Sequence, residues 1–406
     1  MNMIESFAWI VAASATTDGL LLLAVLFWPS APATESSATA RRVGVRRLVR
    51  ALLIVGVVFG VKIVISTFFG VHQFGWIRMA YIDLVVMIPA TSAIVLLSEA
   101  VRSTDRRRCA PAMSALACVG LLGAPVGYYA SYVEPYRLQL EKADVDVGGR
   151  VVVRSPIRIG VLADIQTDRV GDYERHAIDR LMAERPDIVL LPGDLLQCTR
   201  REYAAQIDEM REVVKRLDAP GGAYFVEGDV DRMDRLTPLF WATPVRLLMN
   251  EMVETRVGDQ RVLIGGVELR YNSPEAVALI RRLSEAPRMG RIKILLAHRP
   301  DVIYELPKDA DIDLVVAGHT HGGQVVIPGF GPLITMSGTP RDVAGGGLHE
   351  LNGAQIYVSR GVGMERGLSP PLRFFCPPEI SLLTLTGRRD AVMPPDTAVS
   401  LASQGN

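Results

Sequence analysis

Hydrophobic and polar positions fall into two regimes along the chain, and the change comes near residue 133. Upstream, apolar runs at 7–28, 51–71, 79–97 and 110–132 are separated by short polar loops. Each approaches the roughly 20 residues that carry a helix across a bilayer, and four in succession predict a transmembrane region of four helices. Downstream, from Ser155, short β-branched runs alternate with helical periodicity. Strands are predicted at 158–163, 187–191, 223–226, 261–267, 292–296 and 314–316. Helices are predicted at 172–184, 201–217 and 274–285. Strands alternating with helices predict a layered α/β domain. After residue 324 the helical pattern stops, and short strands at 355–358 and 380–385 stand between Gly and Pro. The segments are therefore 1–132 transmembrane, 133–154 linker, 155–387 α/β domain and 388–406 a polar, disordered tail.

Charge changes this picture in two ways. Lys and Arg together number 44 and so do Asp and Glu, a formal net charge of zero. That argues against a nucleic-acid partner, which normally meets a basic excess. The distribution of arginine sets an orientation. Arg41, Arg42, Arg46, Arg47 and Arg50 follow the first run, and Arg102, Arg106, Arg107 and Arg108 follow the third. The loop between runs two and three has only Arg78. By the positive-inside rule the two Arg-rich loops are cytoplasmic, so everything after Tyr132 is expected outside a bacterial-type cell membrane. The first run lacks a basic leader and follows Glu5, unlike a signal peptide. Asp18, Lys62 and Asp83 are ionisable groups inside the apolar runs, where mutual pairing or a functional pathway is the expectation. Cys109, Cys118, Cys198 and Cys376 lack metal or redox spacing and read as structural; a Cys198–Cys376 disulfide cannot be argued from sequence.

The candidate chemistry sits at the ends of the predicted strands, the edge where open α/β sheets bind ligands. Those ends read Asp164-Ile165-Gln166, Gly193-Asp194, Gly228-Asp229-Val230-Asp231, His298-Arg299-Pro300-Asp301 and Gly318-His319-Thr320-His321. Two of the 6 histidines stand one residue apart in the last of these, on a glycine-rich loop. Singly, such residues are turn formers, helix caps or satisfied core histidines. Together they offer enough oxygen and nitrogen donors for two divalent cations sharing a carboxylate.

The order and spacing of these motifs resemble the calcineurin-like metallophosphoesterases. Gly322-Gly323-Gln324 and Pro378-Glu379-Ile380 are similar to the membrane-associated branch of that family. The resemblance covers about 155 to 386 and implies an α/β/β/α sandwich. It implies that Asp194 bridges two metals. Asp164, Gln166 and His321 would complete one site, and Asp229, His298 and His319 the other. Between them, a water would be activated for in-line attack on phosphorus.

Three positions depart from the family pattern. Gln166 stands where the family has His, and Asp229 where it has Asn. Both move the donor set toward oxygen, which favours Mn²⁺, with Mg²⁺, Ca²⁺, Fe or Zn²⁺ as alternatives. Val230 replaces the histidine that helps the leaving group depart, leaving Asp231 without its usual neighbour. His176, Asp168 and Arg299 are candidate substitutes, and Arg299 could hold a phosphate oxygen bidentately. The catalytic acid is thus left unassigned. The expected function is a membrane-anchored, metal-dependent phosphoesterase acting on a phosphoester or pyrophosphate, with lipid or lipid-linked substrates in view. A catalytically weakened sensor or scaffold that binds metal or phosphate is the alternative, and a transporter with an ancillary soluble domain a third reading. Oligomeric state is not legible.

Overall fold

Residues 57–102, apart from 59, 66, 69, 71 and 72, and residues 111–387 are described by the structure, a computed structural model. The first apolar run with Asp18, the arginines at 41–50 and 106–108, and the polar tail from 388 lie outside the described residues. The chain divides into two compact units, 1–135 with 365–374, and 136–364 with 375–406.

The first unit is helical. Gln73–Ile82 continues through a π-helical turn, Asp83–Met87, into Ile88–Arg102. Pro111–Leu121 is followed by Gly123–Tyr128 and a second π turn, Tyr129–Val133. The two helical stretches pack closely through small residues. A Cβ on Gly123 would fall 2.3 Å from the Leu84 carbonyl oxygen, and such close approach is a common way for apolar helices to associate without a polar seam. Lys62 Nζ lies 3.5 Å from Asp83 Oδ2, so these two expected ionisable groups pair with each other. The segment 365–374 clusters with the helices. Arg78 donates to the Gly367 carbonyl at 2.6 Å, the Arg373 backbone N–H to the Ala130 carbonyl at 2.9 Å, and Phe374 meets Tyr129 edge-on. Among the described residues, one helical stretch, Gln73–Ile94, is long and apolar enough to cross a membrane.

The second unit is a four-layer α/β/β/α sandwich. In chain order its elements are β1 (Gln139–Asp146), β2 (Ile157–Val161), α1 (Asp172–Ala183), β3 (Ile188–Leu191), α2 (Arg200–Val214), β4 (Ala223–Phe225), α3 (Met233–Phe240), β5 (Val245–Leu247), β6 (Glu251–Val257) and β7 (Gln260–Gly266). There follow α4 (Pro274–Glu285), β8 (Arg291–Leu296), β9 (Leu314–Ala317), β10 (Val326–Ile327), β11 (Gly331–Pro332), α5 (Arg341–Ala344), β12 (Gly347–Leu351), β13 (Ala354–Val358) and β14 (Glu379–Thr386). One six-stranded sheet has the order β1-β14-β2-β3-β4-β5 and the other β12-β13-β9-β8-β7-β6.

Strand alternation explains the layers. Side chains two apart on a strand share a face. Ile188 and Leu190 of β3, Ile292 and Ile294 of β8, and Leu314 and Val316 of β9 all enter the core between the sheets. Val189 and Leu191 face the opposite way, onto α1 and α2. Leu295 and Val315 face α4. Both faces of these strands are buried, which is why they read as unbroken apolar runs rather than alternating ones. The helices are capped in sequence: Thr199 and Glu202 form a capping box for α2, and Ser273 accepts from the Ala276 N–H before Pro274 starts α4.

Several elements depart from the sequence reading. Residues 139–146 lie in the stretch read as linker, yet they form β1, paired in parallel with β14. The sequence QLEKADVD has few apolar residues because one edge strand is half exposed. The helix α3, the strand β6 and the short helix α5 were also not visible in the apolar pattern. The last corrects the expectation that helices stop after 324.

Candidate metal centre

The strand-end loops of both sheets meet at one edge. Asp164 and Gln166 follow β2, Asp194 follows β3, Asp229 follows β4, His298 follows β8, and His319 and His321 follow β9. Five of these seven adopt positive φ: Asp164 47°, Gln166 37°, Asp194 57°, His319 72° and His321 49°. Left-handed backbone at non-glycine residues costs energy and persists where the surroundings hold it. Here it turns the chain sharply at the sheet edge. The turns also need glycine. A Cβ on Gly228 would lie 2.2 Å from Asp194 Oδ1, and one on Gly361, itself at φ +71°, 2.7 Å from Asp164 Cβ.

His298 and His319 are each oriented by a backbone carbonyl. His298 Nδ1 lies 2.6 Å from the Pro192 oxygen, and His319 Nε2 3.1 Å from the Met336 oxygen. A carbonyl only accepts, so the ring proton sits on those nitrogens. The other nitrogens, His298 Nε2 and His319 Nδ1, then face Asp229 Oδ2 at 3.2 and 2.8 Å. Asp194 Oδ2 is 3.4 Å from the same His298 Nε2. That nitrogen is fully buried and makes no hydrogen bond of good geometry. Donor atoms of Asp229, His298 and His319 all lie within 4.8 Å of one another, as do those of Asp164, Asp194 and His298. His321 Nε2 stands 4.0 Å from Asp164 Oδ1.

The electrostatics ask for positive charge at this point. Burial alone would lower the His298 imidazole, but Asp194, Asp229 and Asp164 overcome it and raise the ring to about 10. Burial pushes the Asp194 carboxyl well up, against the pull of His298, with Asp231 and Asp164 adding to the rise. For Asp229, burial pushes up, yet the neighbouring His298, His319 and Arg299 hold the carboxyl far below the usual range. A cluster of carboxylates around two imidazole rings fits divalent cations, whose charge exceeds what one proton supplies. The donor set therefore fits divalent metal ions.

Of the seven expected ligands, Asp164, Asp194, Asp229, His298 and His319 present donor atoms close together, His321 stands nearby, and Gln166 joins through its main chain, whose N–H donates to the Asp194 carbonyl at 2.9 Å. Arg299 pairs with a candidate ligand. Its Nε donates to Asp229 Oδ2 at 3.2 Å, and its Nη2 donates to Oδ1 of the same carboxylate. His176 is exposed on α1 and Asp168 is exposed on the loop after β2. Asp231 is a brace: its carboxylate accepts N–H groups from Asp194 at 2.7 Å, Gly228 at 2.9 Å and Leu195 at 3.2 Å. It thereby locks the β3 and β4 loops together. At position 230 the backbone N–H donates to Asp194 Oδ1 at 2.9 Å, so Val230 serves the site through its main chain.

Several supporting groups escaped the sequence reading. Gly363 N–H donates to the Asp164 carbonyl at 2.7 Å and Val362 N–H to the Ala163 carbonyl at 3.0 Å. The signal was present, because Arg360-Gly361-Val362-Gly363 follows an apolar strand just as the other ligand loops do. The Cys376 thiol, which is in no disulfide, lies under the histidine loop and donates to the His321 carbonyl at 3.3 Å. Cys198 is also free, so no disulfide joins them. Glu379 is buried and gathers Tyr357 Oη and Arg360 N at 3.1 Å and Arg360 Nε at 2.5 Å. The Pro-Glu-Ile motif thus anchors the segment that backs Asp164.

Comparison with known proteins agrees with this geometry. An uncharacterised metallophosphoesterase of Bacillus subtilis (strain 168), YkuE, is 27% identical over 304 residues, covering 70% of this chain and 98% of that protein. The phosphodiesterase YaeI of Escherichia coli (strain K12) is 26% identical over 249 residues, covering 57% of this chain and 83% of that protein. A putative metallophosphoesterase of Caenorhabditis elegans is 26% identical over 293 residues, covering 69% of this chain and 58% of that protein. Residues 157–323, the stretch that holds all seven candidate ligands, match the model of the calcineurin-like phosphoesterase family.

Proposed function

We propose that this chain is a metal-dependent phosphoesterase, held at a membrane by its N-terminal helices and facing the extracytoplasmic side. The observation that carries the catalytic part is the pairing of His298 and His319 with backbone carbonyls. It turns the second nitrogen of each ring toward one carboxylate, the arrangement of ligands oriented by outer-sphere hydrogen bonds. His298, His319 and Asp229 would hold one divalent cation, Asp164, Gln166 and His321 a second, with Asp194 between them. When bound, two such cations supply Lewis acidity to phosphoryl oxygens and a strong nucleophile at neutral pH.

The chain's own residues have distinct tasks. Asp194 and Asp229 set the spacing of the two ligand groups across the β3 and β4 loops. Asp231 keeps those loops in register. Arg299 neutralises Asp229 and, with further N–H donors on its fork, offers a phosphate oxygen a bidentate partner at the rim. Val230 presents no proton to a leaving group, so phosphoesters with good leaving groups are the favoured substrates. The apolar helices favour lipid or lipid-linked phosphoesters met at the bilayer.

Val230 also supports a second reading, a metal- or phosphate-binding sensor with little turnover. One experiment separates the two. Purified protein with Mn²⁺ should hydrolyse bis-p-nitrophenyl phosphate, and Asp194→Asn should reduce this to the metal-free rate. Equal rates in wild type and variant, with metal bound only by wild type, would leave the sensor reading.

A further inference from the structure

Immediately after the histidine loop, residues 325–340 contain no charged residue. They form the β10–β11 hairpin and its return. Phe330 at the tip is 58% exposed, and Ile327, Leu333, Ile334 and Met336 are 43%, 46%, 46% and 48% exposed. Exposed large apolar groups in one contiguous run mark a surface that something else covers. The loop is not slack. Ser337 Oγ and Gly338 N–H donate to Asp301 at 2.7 and 2.6 Å, and the Phe330 N–H donates to the Ile327 carbonyl at 2.9 Å. Met336 is held at φ 54°, with its carbonyl on His319 Nε2 and its side chain outward. The apolar surface and a candidate metal ligand therefore share one residue.

The charge beside the hairpin indicates the occupant. Arg341 stacks its guanidinium 4.5 Å over the Phe330 ring. An aromatic tip with a cation at its side suits the boundary between acyl chains and anionic headgroups. The chain also carries an apolar helical stretch, Gln73–Ile94, with the length and composition of a membrane span. We propose that residues 325–336 dock into a phospholipid bilayer and receive the acyl chains of an amphiphilic phosphodiester, whose phosphate then lies beside His319. This inference rests on the phosphoesterase reading for its substrate but not for its docking surface.

The test uses the full-length chain in phosphatidylcholine and phosphatidylglycerol vesicles. Phe330→Trp adds one fluorophore to the 4 native tryptophans, and the difference from wild type isolates it. The added emission should be quenched by brominated acyl chains and shielded from aqueous iodide. Quenching by iodide alone overturns the proposal, and shielding from both quenchers overturns it in favour of a protein partner. In a second arm, Phe330→Ser with Ile334→Ser should lower kcat/KM for a vesicle-borne phosphodiester, relative to that for bis-p-nitrophenyl phosphate, by roughly tenfold or more. An unchanged ratio counts against docking. If wild type hydrolyses neither substrate the phosphoesterase reading fails, while the quenching result still decides the docking surface.

Discussion

The two halves of the candidate metal centre are built from the same kind of strand-end loop, yet they hold their ligands by different means. Around Asp229 the order is electrostatic. Two imidazoles and the Arg299 fork converge on one carboxylate that keeps 30% of its side-chain surface exposed. Around Asp164 the order comes from burial and backbone. Asp164 and Gln166 are fully buried, and Asp164 accepts the His319 N–H through both oxygens at 3.0 and 3.1 Å. His321 stays 4.0 Å away. The two departures from the family ligands fall one in each half. The added charge of Asp229 is balanced within the chain by Arg299, while Gln166 brings no charge to a place where a charge would be costly.

The sharpest way to break this comparison is at His298, whose Nε2 lies near both Asp194 and Asp229. His298→Ala should reduce bound metal from two ions per chain to one or none and lower turnover by more than about 10³-fold. Metal analysis of the purified variant checks it, and two retained ions would remove His298 from the ligand set. The next test separates the halves. Asp229→Asn frees Arg299 and should weaken one metal by about 10- to 100-fold, whereas Gln166→His should tighten the other and shift preference toward Zn²⁺. Competition titrations with Mn²⁺ and Zn²⁺ read both, and matching responses would mean that the halves are equivalent. Val230→His should raise turnover on poor leaving groups at least about tenfold if a missing acid limits the rate; unchanged rates across a leaving-group series reject that account. The smallest effect tests the backbone support. Gly361→Ala, with a strained φ and a Cβ pressed on Asp164, should cost about 1–3 kcal/mol of stability. A melting temperature equal to wild type would show that the Asp164 half does not lean on that loop.

Much of the domain was legible in the sequence because its central strands are buried on both faces. A run such as Leu314-Val315-Val316-Ala317 permits little besides a strand, and the residues after it must turn at the sheet edge. β1 and β6 were not legible for the converse reason, since an edge strand with one wet face mixes polar and apolar residues like a loop. The seven candidate ligands were legible as residue types following apolar runs. The role of Arg299 was not, because pairing with Asp229 joins positions 70 apart in sequence. Asp231 could be read as a chemical group, but its three N–H partners show it to be a brace.

The sequence by itself determined the central strands and the helices between them, the apolar character of the first third and the candidate residues for a metal site. Each follows from local periodicity or from residue chemistry. Tertiary structure alone decided which nitrogen of each histidine faces Asp229, that main-chain carbonyls of Pro192 and Met336 select it, and that Gly361 and Gly363 back Asp164. These depend on backbone atoms from distant segments, and every residue carries the same carbonyl and N–H. No residue letter can announce where such a group will point until the sheets have brought the loops together.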